Sequence, residues 1–298
     1  MKNIIRLKFI LFLICGAVLF LPRGDIRADE NLSLYGLKGY AYTYSPLPSG
    51  GFQMQTGVMY SMYGDSKLEC REGNIWVMPL SLTYGDGDWW EVSAATHWER
   101  WENTDDFWEK QGIDAGENGL GDVFLGGKLR ALGQDRGHGL DASLMAYALI
   151  PTGNRDKSIG DLYLYNPADD DDFSYGLNAL VGRRWGRVYL ALNIGMNYVD
   201  TDIEHIEENT FFGGAALEYQ ISETATSYLE YLDNENKNRE NYPSGDPCYD
   251  ENTDDNIREI GAGFVWLKDR MGVKLHVGAG LSDTAPTIRT AALFNWSF

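Results

Sequence analysis

Ten ionisable residues occupy alternate positions of otherwise apolar segments: Glu91, Lys128, Arg130, Asp141, Glu218, Glu230, Glu259, Lys274, His276 and Arg289. Charged groups do not stay in apolar surroundings without a partner or water. Both signs on one face of a set of strands suit a polar lining, where they pair across the wall and sort solutes by charge. Proton-transfer or nucleophilic chemistry needs a tighter constellation, with a base in hydrogen-bond reach of its partner. The four histidines offer little of it. His97 is flanked on its own strand face by Ala95 and Glu99, and His276 by Lys274 and Gly278, so neither has a serine there. His205 lies among Asp200, Asp202 and Glu204, an arrangement that also suits a solvated loop. No catalytic residue and no cofactor is expected, and the chain reads as a non-enzyme. Asp169-Asp-Asp-Asp172, and Asp250-Glu251 with Asp254-Asp255, carry the oxygen ligands that hard divalent cations take. Both runs suit solvated negative loops better, so a metal is left open.

The elements that position these residues must be strands. The chain has 298 residues, 34 Gly, 13% aromatic content and a net charge of −19. A pI near 4.5 argues against a nucleic-acid partner. Lys2, Arg6 and Lys8, the apolar run Phe9 to Leu21, and Ile26-Arg27-Ala28 form the layout of a secretory signal peptide, residues 1–28. Removing that segment, with its five bases and one acid, leaves a net charge of −23. From Ile288 to Phe298 a period of two puts Ile288, Thr290, Ala292, Phe294, Trp296 and Phe298 on one face and Arg289, Ala291, Leu293, Asn295 and Ser297 on the other, a strand signal at the length of a tilted membrane-crossing strand. The same alternation recurs in 52–62, 76–84, 90–98, 123–131, 140–150, 188–198, 259–266 and 273–282, and more weakly in 173–183, 210–220 and 225–232. Twelve strands of about ten residues predict an all-β fold, a single antiparallel up-and-down transmembrane barrel over 51–298.

Connections alternate between short (85–88, 133–139, 184–186, 222–224, 268–271) and long (64–74, 99–119, 151–172, 200–209, 234–256), with the short 283–287 on the long side. Outer-membrane barrels keep short turns in the periplasm. The expected location is the bacterial outer membrane, with both termini periplasmic and lipid and lipopolysaccharide as surroundings. Trp90, Trp185, Trp266 and Trp296 fall near the short-turn ends, and Trp76 and Trp98 near the others, as two interfacial belts. The long-side loops, with the last of the acid-rich ones taken as 233–256, carry −22 in all, a rim that attracts cations. Twelve strands give a backbone diameter of about 24 Å and a lumen of order 10 Å. Residues 29–50, rich in Tyr and Pro, precede the first strand and read either as a periplasmic segment on the rim or as a plug. Cys70 and Cys248 fall in loops of the same side and are expected to form a disulfide.

Gly119-Leu-Gly-Asp-Val-Phe-Leu-Gly-Gly-Lys-Leu-Arg130, followed by a strand ending Pro151-Thr-Gly-Asn154, resembles one family. These are the outer-membrane proteins named for the meta-cleavage pathway of phenol degradation, whose members usually carry the label of transporters. The resemblance implies a single-chain barrel and uptake of small solutes, aromatic or apolar ones among them. The hairpin also has a plainer reading. Its glycines bend the wall, Asp122 caps a turn, and Arg130 pairs with Asp141 across the short turn. The expected function is therefore an outer-membrane channel for passive uptake of small solutes, with an occluded structural or adhesion barrel as the alternative.

Overall fold

The computed structural model describes residues 31–64, 73–103, 116–153, 173–200, 208–235, 256–282 and 285–298. The signal segment, both cysteines, His205, both acidic runs and most of the acidic rim lie outside the described residues.

Among the described residues thirteen strand segments form one closed antiparallel ring. They are β1 (Gly50–Tyr63), β2 (Gly73–Asp86), β3 (Trp90–Asn103), β4 (Gly116–Leu120), β5 (Val123–Leu132), β6 (Asp141–Ile150), β7 (Phe173–Trp185), β8 (Val188–Asp200), β9 (Asn209–Gln220), β10 (Ala225–Asn234), β11 (Ile257–Lys268), β12 (Met271–Gly280) and β13 (Ile288–Ser297). β4 and β5 both pair with β3, one above the other, so the segments fill twelve places in the wall. β1 pairs with β13 from Gln53↔Ser297 to Met62↔Ile288, which closes the barrel and leaves no free edge.

Burial is inverted relative to a soluble sheet. On β2, Met78, Leu80, Leu82 and Tyr84 are exposed while Ser81 and Thr83 are buried, and on β13 Ile288 and Phe294 are exposed while Arg289 and Asn295 are buried. A large apolar surface facing outward around a polar-bearing interior is the arrangement lipid favours. Short turns close one end. Gly87, Gly137 and Gly186 supply positive φ there, and Asp269 does so at φ 54, as Asp tolerates.

Two sequence expectations change. β3 continues to Asn103 and β4 begins at Gly116, so much of the expected loop 99–119 is strand. The charged stretch hid this, because outward Arg100 pairs with Glu102 at 2.9 Å instead of presenting an apolar face. Trp185, assigned to an interfacial belt, is buried beneath the Arg183 guanidinium, 5.2 Å from its ring centre. Trp76 and Trp266 are exposed on the outer wall.

Residues 31–49 lie inside the ring. Leu32, Leu34, Tyr35, Leu37, Tyr42 and Tyr44 are almost fully buried there. All but Leu32 belong to one apolar cluster with inward residues of the wall, among them Met59, Val77, Phe124, Met145 and Leu293. The segment folds largely on itself, with Ser33 N–H donating to Leu37 O (2.7 Å), Tyr40 N–H to Thr43 O (2.7 Å) and Ser45 N–H to Lys38 O (2.9 Å). Its two ends both sit at the short-turn end. Ser49 O accepts from Gly87 N–H in the β2–β3 turn, and Asn31 shares a cavity with Arg184, Tyr189 and Glu218.

Candidate functional site

All ten inward ionisable residues are buried, and strict alternation aims each at the interior. They form three tiers. At the short-turn end, Glu91 and Lys128 stand opposite each other in the β3–β5 register, 2.5 Å apart. Lys128 also donates to Ser45 O (2.6 Å) and Lys38 O (3.3 Å), while Glu91 accepts from Ser49 N–H (2.6 Å) and Lys38 N–H (2.9 Å). The Arg130–Asp141 contact forms at 2.7 Å, and Arg130 also binds Asp135 in the turn. Glu218 is held by Arg184 at 2.9 Å and accepts from the Tyr40 hydroxyl at 3.2 Å.

At mid-height the wall grips the segment's backbone. Glu230 accepts from three successive N–H groups, Ala41 (3.1 Å), Tyr42 (2.8 Å) and Thr43. The Lys274 ammonium donates to Tyr40 O (2.9 Å) and to Leu32 O. Asn193 binds Tyr44 twice, accepting from its N–H at 2.6 Å and donating to its carbonyl at 2.8 Å. Gln55, Thr83 and Ser93 donate to Ser33 O (2.6 Å), Gly36 O (2.6 Å) and Tyr35 O (2.9 Å).

Toward the long-loop end, Arg289 binds Glu259 through two bonds of 3.1 and 3.0 Å. His97 meets Glu99 there at 3.2 Å, while at mid-height His276 meets the Tyr228 hydroxyl at 3.1 Å. Four acid–base pairs thus neutralise most of the inward charge. Glu230 and Lys274 differ, because their hydrogen bonds go to the segment.

Sequence reasoning missed Arg184 and Tyr40. Arg184 was assigned to a turn, but it is the next-to-last residue of β7 and continues the inward series Asn178, Leu180, Gly182. Extending the period by one step finds it. Tyr40 carries no such signal. A mixed cavity of about 10 Å³ between Asn31, Lys38, Tyr40, Arg184 and Glu218 has room for roughly one water. Among the described residues no group of three or more metal-ligating side chains occurs.

The Gly-Leu-Gly-Asp and Pro-Thr-Gly motifs meet at the join of β4 and β5. Asp122 accepts from Thr152 N–H (3.1 Å) and Gly153 N–H (2.9 Å), capping the turn after β6. Gly121 keeps the ladder by donating to His97 O at 2.8 Å, and Asp122 is the extra residue that bulges the wall. A Cβ at Gly121 would stand 1.9 Å from His97 Cε1, and the ring's Nε2 is already held by Glu99 at 3.2 Å. Gly121→Val is expected to destabilise the barrel by about 1–3 kcal/mol through overpacking. The check is the temperature at which the folded, fast-migrating gel band is lost. An unchanged midpoint would mean that the His97 ring turns away freely.

An outer-membrane channel from Pseudomonas putida F1 aligns with a TM-score of 0.63 at 14% identity, covering 88% of this chain and all of that one. The KdgM porin, solved with disordered oligogalacturonate, aligns at 0.49 and 8% identity over 83% of this chain and 99% of that chain. The Pseudomonas putida toluene transporter TodX aligns at 0.44 and 10% identity over 92% of this chain and 98% of that chain. No curated protein sequence matches. The family profile described as "Putative MetA-pathway of phenol degradation" matches residues 107–298, well over half the chain, and this outer-membrane-type β-barrel belongs to that family.

Proposed function

We propose that the protein is an outer-membrane channel for small solutes, aromatic or apolar ones among them, whose path runs through the space now filled by residues 31–49. Short turns and both termini face the periplasm, and the acidic loops face outward. One observation carries the reading. The interior holds charged groups whose hydrogen-bond partners are backbone groups of a segment that is not part of the wall, so the polar lining outlasts the segment's departure. A barrel that served only as a scaffold is more stable with an apolar core, since buried ion pairs seldom repay their desolvation. The filled lumen favours the second reading, a permanently occluded structural barrel.

Liposome swelling with the full-length protein separates the two. Entry of small neutral solutes is expected. Failure of every solute to enter, at protein densities where a porin gives rapid swelling, would favour the occluded barrel.

The conducting state is expected to prefer cations. The long-side loops carry −22, while the inward bases are largely matched by inward acids. A rim of one sign concentrates counter-ions at the mouth, and the effect fades as salt screens it. Reversal potentials under a potassium chloride gradient measure this. A clear anion preference at low salt would reject it.

A further inference from the structure

We infer that residues 31–49 are a gate that leaves the barrel through its short-turn end as one body, turning on Gly50–Gly51, with Glu230 and Lys274 as its latch. The inference rests on the channel reading and adds to it the moving part, its direction and the residues that hold it.

Four observations carry it. The segment is internally bonded, with Leu34 N–H on Ala41 O (3.1 Å), Gly39 N–H on Asn31 O (2.7 Å) and short bridges Leu32↔Lys38 and Gly39↔Tyr44. It can therefore move without first unfolding. A backbone–backbone bond ties it to the wall at Ser49, beside the hinge. The wall contacts at Glu91, Lys128, Glu230, Lys274, Asn193, Gln55, Thr83 and Ser93 come from side chains, and the wall strands pair with one another, so departure leaves the sheet ladder intact and strips no strand edge.

Both ends sit at the short-turn end, while the middle, 40–44, reaches Glu230, Lys274 and Asn193 at mid-height. A body inserted in this way withdraws toward the end it entered from and threads nothing. The chain passes from wall to interior at Gly50–Gly51, where Gly51 has φ +71 and the nearest atom to an added Cβ is Phe298 O at 3.8 Å. Such a position supplies the backbone freedom a hinge needs.

The latch follows from the charge pattern. Glu91, Glu218, Asp141 and Glu259 each keep a cationic partner on the wall when the segment goes. Glu230 loses all three of its N–H donors, and Lys274 loses both carbonyls. Closing is rewarded at these two residues more than elsewhere, and water or a solute must replace the lost bonds on opening.

Thr43 and Gly214 give a lock. A Cβ built on Gly214 lies 3.6 Å from Thr43 Cβ, within the range of disulfides. The test uses the full-length chain carrying Thr43→Cys and Gly214→Cys, with Cys70 and Cys248 replaced by serine. Conductance is recorded in planar bilayers before and after reduction. The oxidised form is expected to conduct at least tenfold less than the reduced form, and Lys274→Gln to conduct more than the parent.

A second readout fixes the direction. In Thr43→Cys alone, on the same serine background, a membrane-impermeant maleimide should label from the short-turn side. Equal conductance of locked and reduced forms would overturn the gate while leaving a channel. Labelling only from the long-loop side would overturn the direction. Silence of the reduced form and of Lys274→Gln, together with no solute entry in liposomes, would overturn both the gate and the channel.

Discussion

Glu230→Ala is expected to raise the conductance per barrel on the order of a hundredfold. Glu230 accepts from the N–H groups of Ala41, Tyr42 and Thr43, three successive donors converging on one carboxylate. Hydrogen bonds to a charged group contribute about 1.5–3 kcal/mol each when buried, and donors left without an acceptor carry a desolvation cost on top. Alanine removes the acceptor and leaves the donors facing an apolar methyl. It also takes away a negative charge whose field reaches the Lys274 ammonium. The filled state then loses more than the emptied one, in which water hydrates the freed N–H groups.

Shared bonds and relaxation keep the net shift well below the sum of three bonds; about 3 kcal/mol corresponds to the hundredfold figure. Glu230→Gln is the informative companion. Its amide carbonyl still accepts from part of the set, so its effect should fall between wild type and alanine. The measurement is open probability in planar bilayers at fixed voltage, with the gel-mobility shift as a check on folding. Wild-type conductance in a folded Glu230→Ala barrel would mean that the segment is held by its apolar packing alone.

How far the molecule could be read from its sequence depends on the periodicity of each part. Period two is a local property, so the wall strands other than β4 announced themselves and the inward set from Glu91 to Arg289 followed by counting. Pairing partners followed less well. Glu91 and Lys128 face each other only because β3 skips β4's end and pairs with β5, a consequence of the bulge at Gly121–Asp122. Where alternation is masked by charge on both faces, as at 99–103, a strand carries the signature of a loop.

The segment 31–49 is the opposite case. Its turns and bridges have no period, and its Tyr and Pro content suits either a rim or an interior. Its place is settled by contacts from β1, β2, β3, β5, β6, β8, β10 and β12 together, information that no local window contains. The wall residues gripping it were legible as inward and polar, but their partners are backbone groups, which leave no mark on the sequence.

The second large effect concerns stability, not gating. Arg289→Met is expected to destabilise the barrel by about 3–5 kcal/mol, because it leaves Glu259 buried without its counter-charge. The pair spans β12 from β13 to β11 and passes beside Gly278, where an added Cβ would stand 3.6 Å from Glu259 Oε2. Both side chains are about 95% buried, and the two-bond geometry is one that lysine cannot reproduce, so Arg289→Lys should also lose stability.

The double variant Arg289→Met with Glu259→Leu removes both charges and should recover most of the loss, since a buried pair costs much to break and little to replace. Thermal or urea midpoints of the folded gel band, combined in a double-mutant cycle, give the coupling. The Arg289 guanidinium also lies 5.3 Å from the Tyr42 ring centre, so the single variant removes one contact to the segment. That contact is outward of the mid-height latch and worth about 1 kcal/mol or less. Conductance should therefore rise far less in Arg289→Met than in Glu230→Ala while the melting midpoint falls far more. If the two variants instead changed both quantities in parallel, the segment and the wall would be one cooperative unit, and an Arg289–Glu259 pair that only braces the wall would be the wrong description.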